Sequence, residues 1–370
     1  MTADLSLRQK VGQLFMLGFS GTTVSPELAD LIKEYQPGGL IHFARNLQNA
    51  EQIVELNNAV QRLAGSIPLL ISIDQEGGRV SRLPADFTIF PPCAMLGRCG
   101  TADLAYTAAS VTAAELRAVG MNMNMAPVLD VDSNPQNPII GDRAFGRSPA
   151  EVCTLGQAVM AGLQDHQVIA CGKHFPGHGD TIADSHLELP VMSAPRERLQ
   201  QIELPPFQHA IQHGLATIMT AHVLYPALDP DQPATLSPAI LGGLLREQLH
   251  FKGVIVTDDL EMRAILDHYG IEDASIRAFQ AGADILLICK DRGREVAAMD
   301  AMYAAVSDGS IPLSRLDASL QRIRQLKERF LHSFTPADPK TARQIVGSPK
   351  HKAVLQTIIH TGEQHQKARV

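Results

Sequence analysis

The sequence lacks any excess of positive charge. Its 32 lysines and arginines are outnumbered by 39 aspartates and glutamates, for a formal net charge of −7. That balance leaves no electrostatic footprint for nucleic acid and no basic patch for anionic lipid. Cysteine is sparse and unpatterned: Cys93, Cys99, Cys153, Cys171 and Cys289 are an odd number with no CxxC pair. They read as reduced, mostly buried thiols, which favours a reducing compartment. Long apolar runs are missing as well, and no stretch approaches the roughly 20 residues that a spanning helix needs. Arg8-Gln9-Lys10 ahead of the apolar residues 11–19 faintly resembles a signal peptide. Gln13 and two glycines interrupt that run and no small-x-small site follows, so it is expected to be a buried strand. The resulting expectations are a cytoplasmic monomer with no nucleic-acid or membrane partner. There is no internal repeat and no room for a second large domain.

What is present is abundant core material. Apolar residues make up 45% of 370, enough for one α/β barrel with insertions. Short apolar runs recur at residues 12–18, 39–43, 69–74, 121–126, 169–174, 217–222, 254–258 and 284–289. Runs this short, apolar on both faces, suit the two-sided burial of a parallel sheet. Amphipathic stretches at 50–64, 102–119, 150–166 and 238–249 lie between them. Eight strands alternating with helices predict a closed (β/α)8 barrel of the TIM type rather than an open doubly wound sheet. The barrel is expected to occupy residues 1–334. Residues 335–370 then form a short C-terminal extension, with a helix at 352–359 and fraying from residue 360 onward.

Ionisable residues gather at the carboxyl ends of these runs, where barrel enzymes carry their sites. Asp74, Lys173-His174, His222 and Asp258 each close a strand. The densest segment is KHFPGHGDT at 173–181, followed by Asp184-Ser185-His186. Three histidines, two aspartates and a lysine so close together mark a site rather than a solvated loop. Gly177 and Gly179 are expected to make this loop mobile and able to close. Asp184 and His186 share one side of an extended segment, so the carboxylate can fix and charge the imidazole for acid and then base work. In VTDDLEM, Asp258 faces the barrel mouth as a natural nucleophile. Asp259 and Glu261 are read instead as acidic residues of a helix's first turn. Asp74 and the arginines of DQEGGRVSR are good partners for sugar hydroxyls, as is GDRAFG at 141–146.

Taken together, KHFPGHGDT…DSH, VTDDLEM, DQEGGRVSRL and GDRAFG resemble the family 3 glycoside hydrolases, most closely the single-domain bacterial β-N-acetylglucosaminidases of cell-wall recycling. GQLFMLGF, GGLIHFARN, MTAHVLYPALDPDQPATLS and AGADILLI match in order, and the likeness runs over residues 6–330. The resemblance implies a retaining exo-acting enzyme with Asp258 as nucleophile and His186 as acid/base, paired with Asp184. It implies that Asp74, Arg82, Arg143, Lys173 and His174 contact a non-reducing GlcNAc. The implied substrate is a muropeptide fragment, GlcNAc linked to anhydro-muramic acid, and no cofactor is implied. Two other classes compete. A metal-dependent barrel hydrolase could use His174, His178, His186, Asp180 and Asp184, but no HxH or HExxH is present and Lys173 would repel a cation. A non-catalytic sugar-binding protein would have no need of both Asp258 and the Asp184/His186 pair. Phosphorolysis in place of hydrolysis stays open, and His178 and Asp180 are left as residues that shape the loop.

Overall fold

The computed structural model describes residues 5–182, 185, 188–331 and 334–367. In chain order the elements begin with α1 (Leu7–Gly12), β1 (Phe15–Leu17), α2 (Pro26–Tyr35), β2 (Gly39–His42), α3 (Ala50–Leu63), β3 (Leu70–Ile73), α4 (Cys93–Cys99), α5 (Ala102–Ala118) and β4 (Met123–Asn124). Next come α6 (Pro149–Gln164), β5 (Ile169–Phe175), α7 (Arg196–Gln201), α8 (Leu204–Gln212), β6 (Thr217–Thr220), β7 (Leu224–Tyr225) and β8 (Asp229–Pro233). A π-helix (Ala239–Gln248) precedes β9 (Val254–Asp259), α9 (Arg263–Tyr269), α10 (Ile271–Ala281), β10 (Ile285–Ile288), α11 (Arg292–Ser307), α12 (Leu313–Phe330), α13 (Pro339–Ile345) and α14 (Pro349–Lys367).

Eight of the strands close a barrel in the order β1-β10-β9-β6-β5-β4-β3-β2, and every pair is parallel. The expected (β/α)8 barrel is therefore what forms. Strands β7 and β8 make a separate antiparallel hairpin. Parallel pairing sends all eight carboxyl ends to one mouth, so residues far apart in sequence meet there. The strands are apolar on both faces because side chains fill the barrel inside and helices cover it outside. Ile41, Ile71, Ile218, Val256 and Leu286, all buried, belong to one continuous core.

The first predicted strand was too long. Residues 7–12 are helical, and only Phe15–Leu17 pairs in the barrel. A capping box explains the difference. The Ser6 hydroxyl accepts from the Gln9 N–H while the Gln9 side chain accepts from the Ser6 N–H, which satisfies two donors at the helix start. The segment after β10 also departs from the local pattern. The Glu261 carboxylate accepts from the N–H groups of Cys289, Lys290 and Asp291 and from Arg294. It therefore fastens the loop after β10 and is not the first turn of its own helix, which starts at Arg263 with Met262 as its uncapped leading residue.

The C-terminal residues fold back on the barrel helices. The buried Glu115 carboxylate of α5 accepts from Thr88, from the Gly347 N–H and from His351 Nδ1 at 2.7 Å. Ile358 of α14 is fully buried beside Leu96 and Cys99 of α4. Helix α14 runs to Lys367, past the residue where fraying was expected. Its second half is held by Gly362 against Met95 and by His365 on the Arg98 carbonyl. No helix among the described residues is long and apolar enough to cross a membrane.

Beneath the barrel a lysine is buried without a counter-charge among the described residues. Lys327 of α12 donates to the Gln13 side-chain oxygen at 3.0 Å, and Gln13 in turn donates to the Gln36 carbonyl. Burial pushes the ammonium down from its ordinary value near 10.5 to about 7. Between those two pH values the unfolded chain holds the extra proton, so folding stability rises with pH across that window. Below pH 7 the folded protein carries the full penalty. Replacing the ammonium by a thioether of similar length is expected to relieve it. Lys327→Met should be more stable than the parent in urea unfolding at pH 6.5, by about 2–4 kcal/mol, and this gain should shrink toward pH 10. A gain that does not change with pH would contradict the assignment.

Candidate active site

A pocket of about 240 Å³ opens at the carboxyl ends of the strands, lined by Asp74, Glu76, Arg82, Arg143, Lys173, His174, His178, Ser185, Asp258, Asp259 and Lys290 among others. Asp74 follows β3 directly. The loop behind it is fixed by amide side chains: Asn124 of β4 bonds both the N–H and the carbonyl of Gln75, and the Gln75 side chain accepts from the Arg82 N–H. Gly77 and Gly78 then turn the chain with φ of 102° and 56°, values that glycine alone adopts without strain.

Glu76 is the centre of the polar wall. Its side chain is 2% exposed, and it binds Arg143 through two bonds of 2.8 Å and Lys173 Nζ at 2.6 Å. Asp74 adds a second contact to Lys173 at 2.5 Å. Burial alone would push the Glu76 carboxyl up, but the Lys173 and Arg143 charges outweigh it and hold it well below the usual carboxylate range. Lys173 is raised in turn: burial opposes its charge, and Asp74 and Glu76 outweigh the burial. Glu76, Arg143 and Lys173 are therefore ionised at neutral pH. Sequence reasoning quoted Glu76 within its motif and gave it no role.

His174 faces the same pocket. Its Nδ1 lies 2.7 Å from Asp130 Oδ2, and its Nε2 lies 3.4 Å from Arg143 Nη2. Arg143 can only donate, so Nε2 is the acceptor and Nδ1 carries the proton toward Asp130. Asp130 is fully buried and also accepts from the N–H groups of His174 and His178. It is a second residue that the sequence did not single out, since nothing local distinguishes it from other acids before a polar loop.

Asp258 is the penultimate residue of β9 and lines the pocket opposite this wall. Its Oδ1 accepts from the Asp259 N–H at 2.8 Å. Burial would raise its pKa, but His222, His174, that N–H and Lys173 together lower it below the usual value. An ionised carboxylate is chemically able to act as a nucleophile. Asp259 behaves oppositely. Burial, then the charges of Glu261 and Asp258, push it up to about 7 despite the bond it accepts from the Glu261 N–H. The expected helix-capping role is corrected: Asp259 is the last residue of the strand, lines the pocket and caps no helix.

The loop after β5 is fastened along its first half. His178 is buried, with Nδ1 on the Thr181 hydroxyl and Nε2 on that of Ser185, and burial followed by the neighbouring His174 ring lowers it to about 4. Asp180 pairs with Arg198 at 2.9 Å. Asn137 donates to the His178 carbonyl, and Tyr225 donates to that of Gly177. A Cβ on Gly179 would sit 1.7 Å from the Val131 carbonyl oxygen, so that position needs glycine for close packing. Asp184 and His186 lie outside the described residues. Ser185, between them, lines the pocket, and its carbonyl accepts from the Ala264 N–H at 3.4 Å. Among the described residues no group of three or more His, Cys, Asp and Glu is placed to hold a metal ion.

Comparison with known proteins agrees with this geometry. Residues 6–326 match the model of the glycosyl hydrolase family 3 N-terminal domain. The chain is 38% identical to β-hexosaminidase A of Pseudoalteromonas piscicida over 94% of its own length and 65% of that protein's. It is 39% identical to a β-hexosaminidase of Nitrosomonas eutropha, covering 86% of this chain and 94% of the relative. Among solved structures, a family 3 β-N-acetylglucosaminidase from Paenibacillus sp. superposes with a TM-score of 0.92 at 44% identity, over 97% of this chain and 69% of that one. The chain thus spans just under two thirds of the first relative and nearly all of the second. A closed parallel barrel with an ionised aspartate facing a cation-rich wall, and matches of this extent, identify the chain as a member of glycosyl hydrolase family 3, a glycoside hydrolase of the β-N-acetylhexosaminidase group.

Proposed function

We propose that the chain is a retaining exo-β-N-acetylglucosaminidase that removes terminal β-1,4-linked GlcNAc from peptidoglycan fragments in the cytoplasm, working as a monomer. The observation that carries this reading is the opposition of Asp258 to the Asp74–Glu76–Arg143–Lys173 wall across one small pocket. A retaining glycosidase needs a carboxylate on one face of the sugar and a proton donor at the leaving oxygen. Asp258 is ionised by its surroundings and supplies the first.

In this reading the non-reducing sugar rests on the polar wall. Lys173, Arg143 and Arg82 donate to its hydroxyls, and Asp74 accepts from them. Arg82 lines the pocket beside Asp74. Asp258 attacks the anomeric carbon as the bond to the leaving oxygen breaks, and His186, held by Asp184, gives that oxygen its proton. Water then attacks the anomeric carbon from the face vacated by the leaving group, the bond to Asp258 breaks to release its carboxylate, and His186 takes the water's proton. The burial of Ser185 at the pocket supports bringing the dyad's segment to the substrate. The peptidoglycan substrate rests on the resemblance of KHFPGHGDT…DSH to enzymes of cell-wall recycling.

Two variants separate the roles. Asp258→Ala is expected to lose on the order of 10⁴-fold or more in kcat on an aryl β-N-acetylglucosaminide, while circular dichroism shows a folded protein. His186→Ala should lose about 10²–10⁴-fold on glycosides with alkoxide leaving groups. Its loss should be much smaller on dinitrophenyl-type substrates, which leave without a proton. An Asp258→Ala enzyme with near-parental turnover, or an equal His186→Ala loss on both substrate classes, would overturn the assignment.

A further inference from the structure

The chain that leaves β5 continues into α7, and one side chain of α7 reaches back to the β5 loop. Arg198 Nη2 lies 2.9 Å from Asp180 Oδ1 on that loop and 3.5 Å from Glu203 Oε1 at the start of α8. Glu203 is buried, and a Cβ on Gly177 would sit 2.7 Å from the Glu203 Cβ, so the glutamate packs directly against the loop. The Asp180 carbonyl accepts from the Asn134 side chain at 3.3 Å. Residue 180 is thus tied to α7 through its side chain and to the loop after β4 through its backbone.

A half-exposed ion pair of this kind adds little to folding stability. Its placement gives it another use. Asp180 and Arg198 close a loop of chain that contains both Asp184 and His186. Four residues span at most ~14 Å, so an anchor at Asp180 restricts where the segment that begins at Asp184 can lie. Ser185 supplies a second tie on the same segment, its hydroxyl 3.2 Å from His178 Nε2. Glu203 does not take the guanidinium for itself. Burial raises its carboxyl to about 7 against the pull of Arg198, so below that pH it is mostly neutral and the Arg198 charge is left to Asp180.

We propose that Arg198 is a positioning residue for the acid/base step: its pair with Asp180 holds the β5 loop so that Asp184 and His186 meet the leaving oxygen. The proposal rests on the dyad assignment above and does not alter it. Arg198 stands outside the pocket lining and touches no substrate in this reading. A misplacement of about 1 Å can cost on the order of 10²-fold in rate, so the proton transfer is the step that registers its loss.

The test reads kcat/KM on two β-N-acetylglucosaminides, one with an alkyl leaving group and one with dinitrophenolate. Arg198→Ala should lose about 10–100-fold on the alkyl glycoside. On the dinitrophenyl glycoside, which leaves without a proton, it should lose less than about threefold. Asp180→Asn removes the other partner and should show the same split, which carries the test should Arg198→Ala fail to fold. Arg198→Lys should recover part of the alkyl activity. In a His186→Ala background, Arg198→Ala should cost less than about twofold on either substrate, because the group it positions is gone. Equal losses on both substrates in Arg198→Ala and Asp180→Asn, or no loss in either, would overturn the positioning role and leave the dyad assignment standing. A His186→Ala enzyme that itself shows no split would overturn that assignment, and the positioning role with it.

Discussion

The site depends on one buried carboxylate. Glu76 joins the loop after β3 to Arg143 beyond β4 and to Lys173 on β5, at distances of 2.6–2.8 Å. Two cations packed side by side in a dry wall would repel each other and shed charge or position. With Glu76 between them, both stay ionised and both point into the pocket. Removing one partner of such a buried set typically costs about 3–5 kcal/mol, because the remaining charges are left uncompensated. The wall is therefore rigid before any sugar arrives, and binding does not have to organise it.

The same accounting explains why the two adjacent aspartates of β9 differ. Asp258 looks across at His174, His222 and Lys173 and is kept ionised, whereas Asp259 sees mainly burial and two other acids and is pushed up to about 7. One residue's displacement along a strand turns the side chain to another environment. That displacement separates the proposed nucleophile from a neighbour that identical chemistry would otherwise make its rival.

Much of this was legible in the sequence, for physical reasons that also mark where legibility ends. Eight short apolar runs announced eight strands because two-sided burial leaves no polar alternation to confuse them. The helix at Leu7–Gly12 was hidden, since its apolar residues run on into the strand and only the Ser6–Gln9 capping pair marks it. Asp74, Arg82, Arg143, Lys173, His174 and Asp258 were found as strand-end or motif residues, and the fold gathers them at one pocket. Glu76, Asp130 and Glu261 were not understood, because each acts on groups at least 28 positions away. Local pattern cannot show such partners. The packing role of Gly179 was not visible for a related reason: the need for it is set by the Val131 carbonyl, a contact only the folded chain makes.

The account's central claim is that Asp258 forms a covalent bond to the sugar, with Asp184 and His186 handling the proton. Two displacements at one carbon restore its configuration, whereas a single displacement by water inverts it. Proton NMR of the anomeric signal in the first minutes of hydrolysis of an aryl β-N-acetylglucosaminide distinguishes them. β-GlcNAc appearing first, with the α-anomer growing in only through mutarotation, is the result this account predicts. α-GlcNAc as the first product would contradict it.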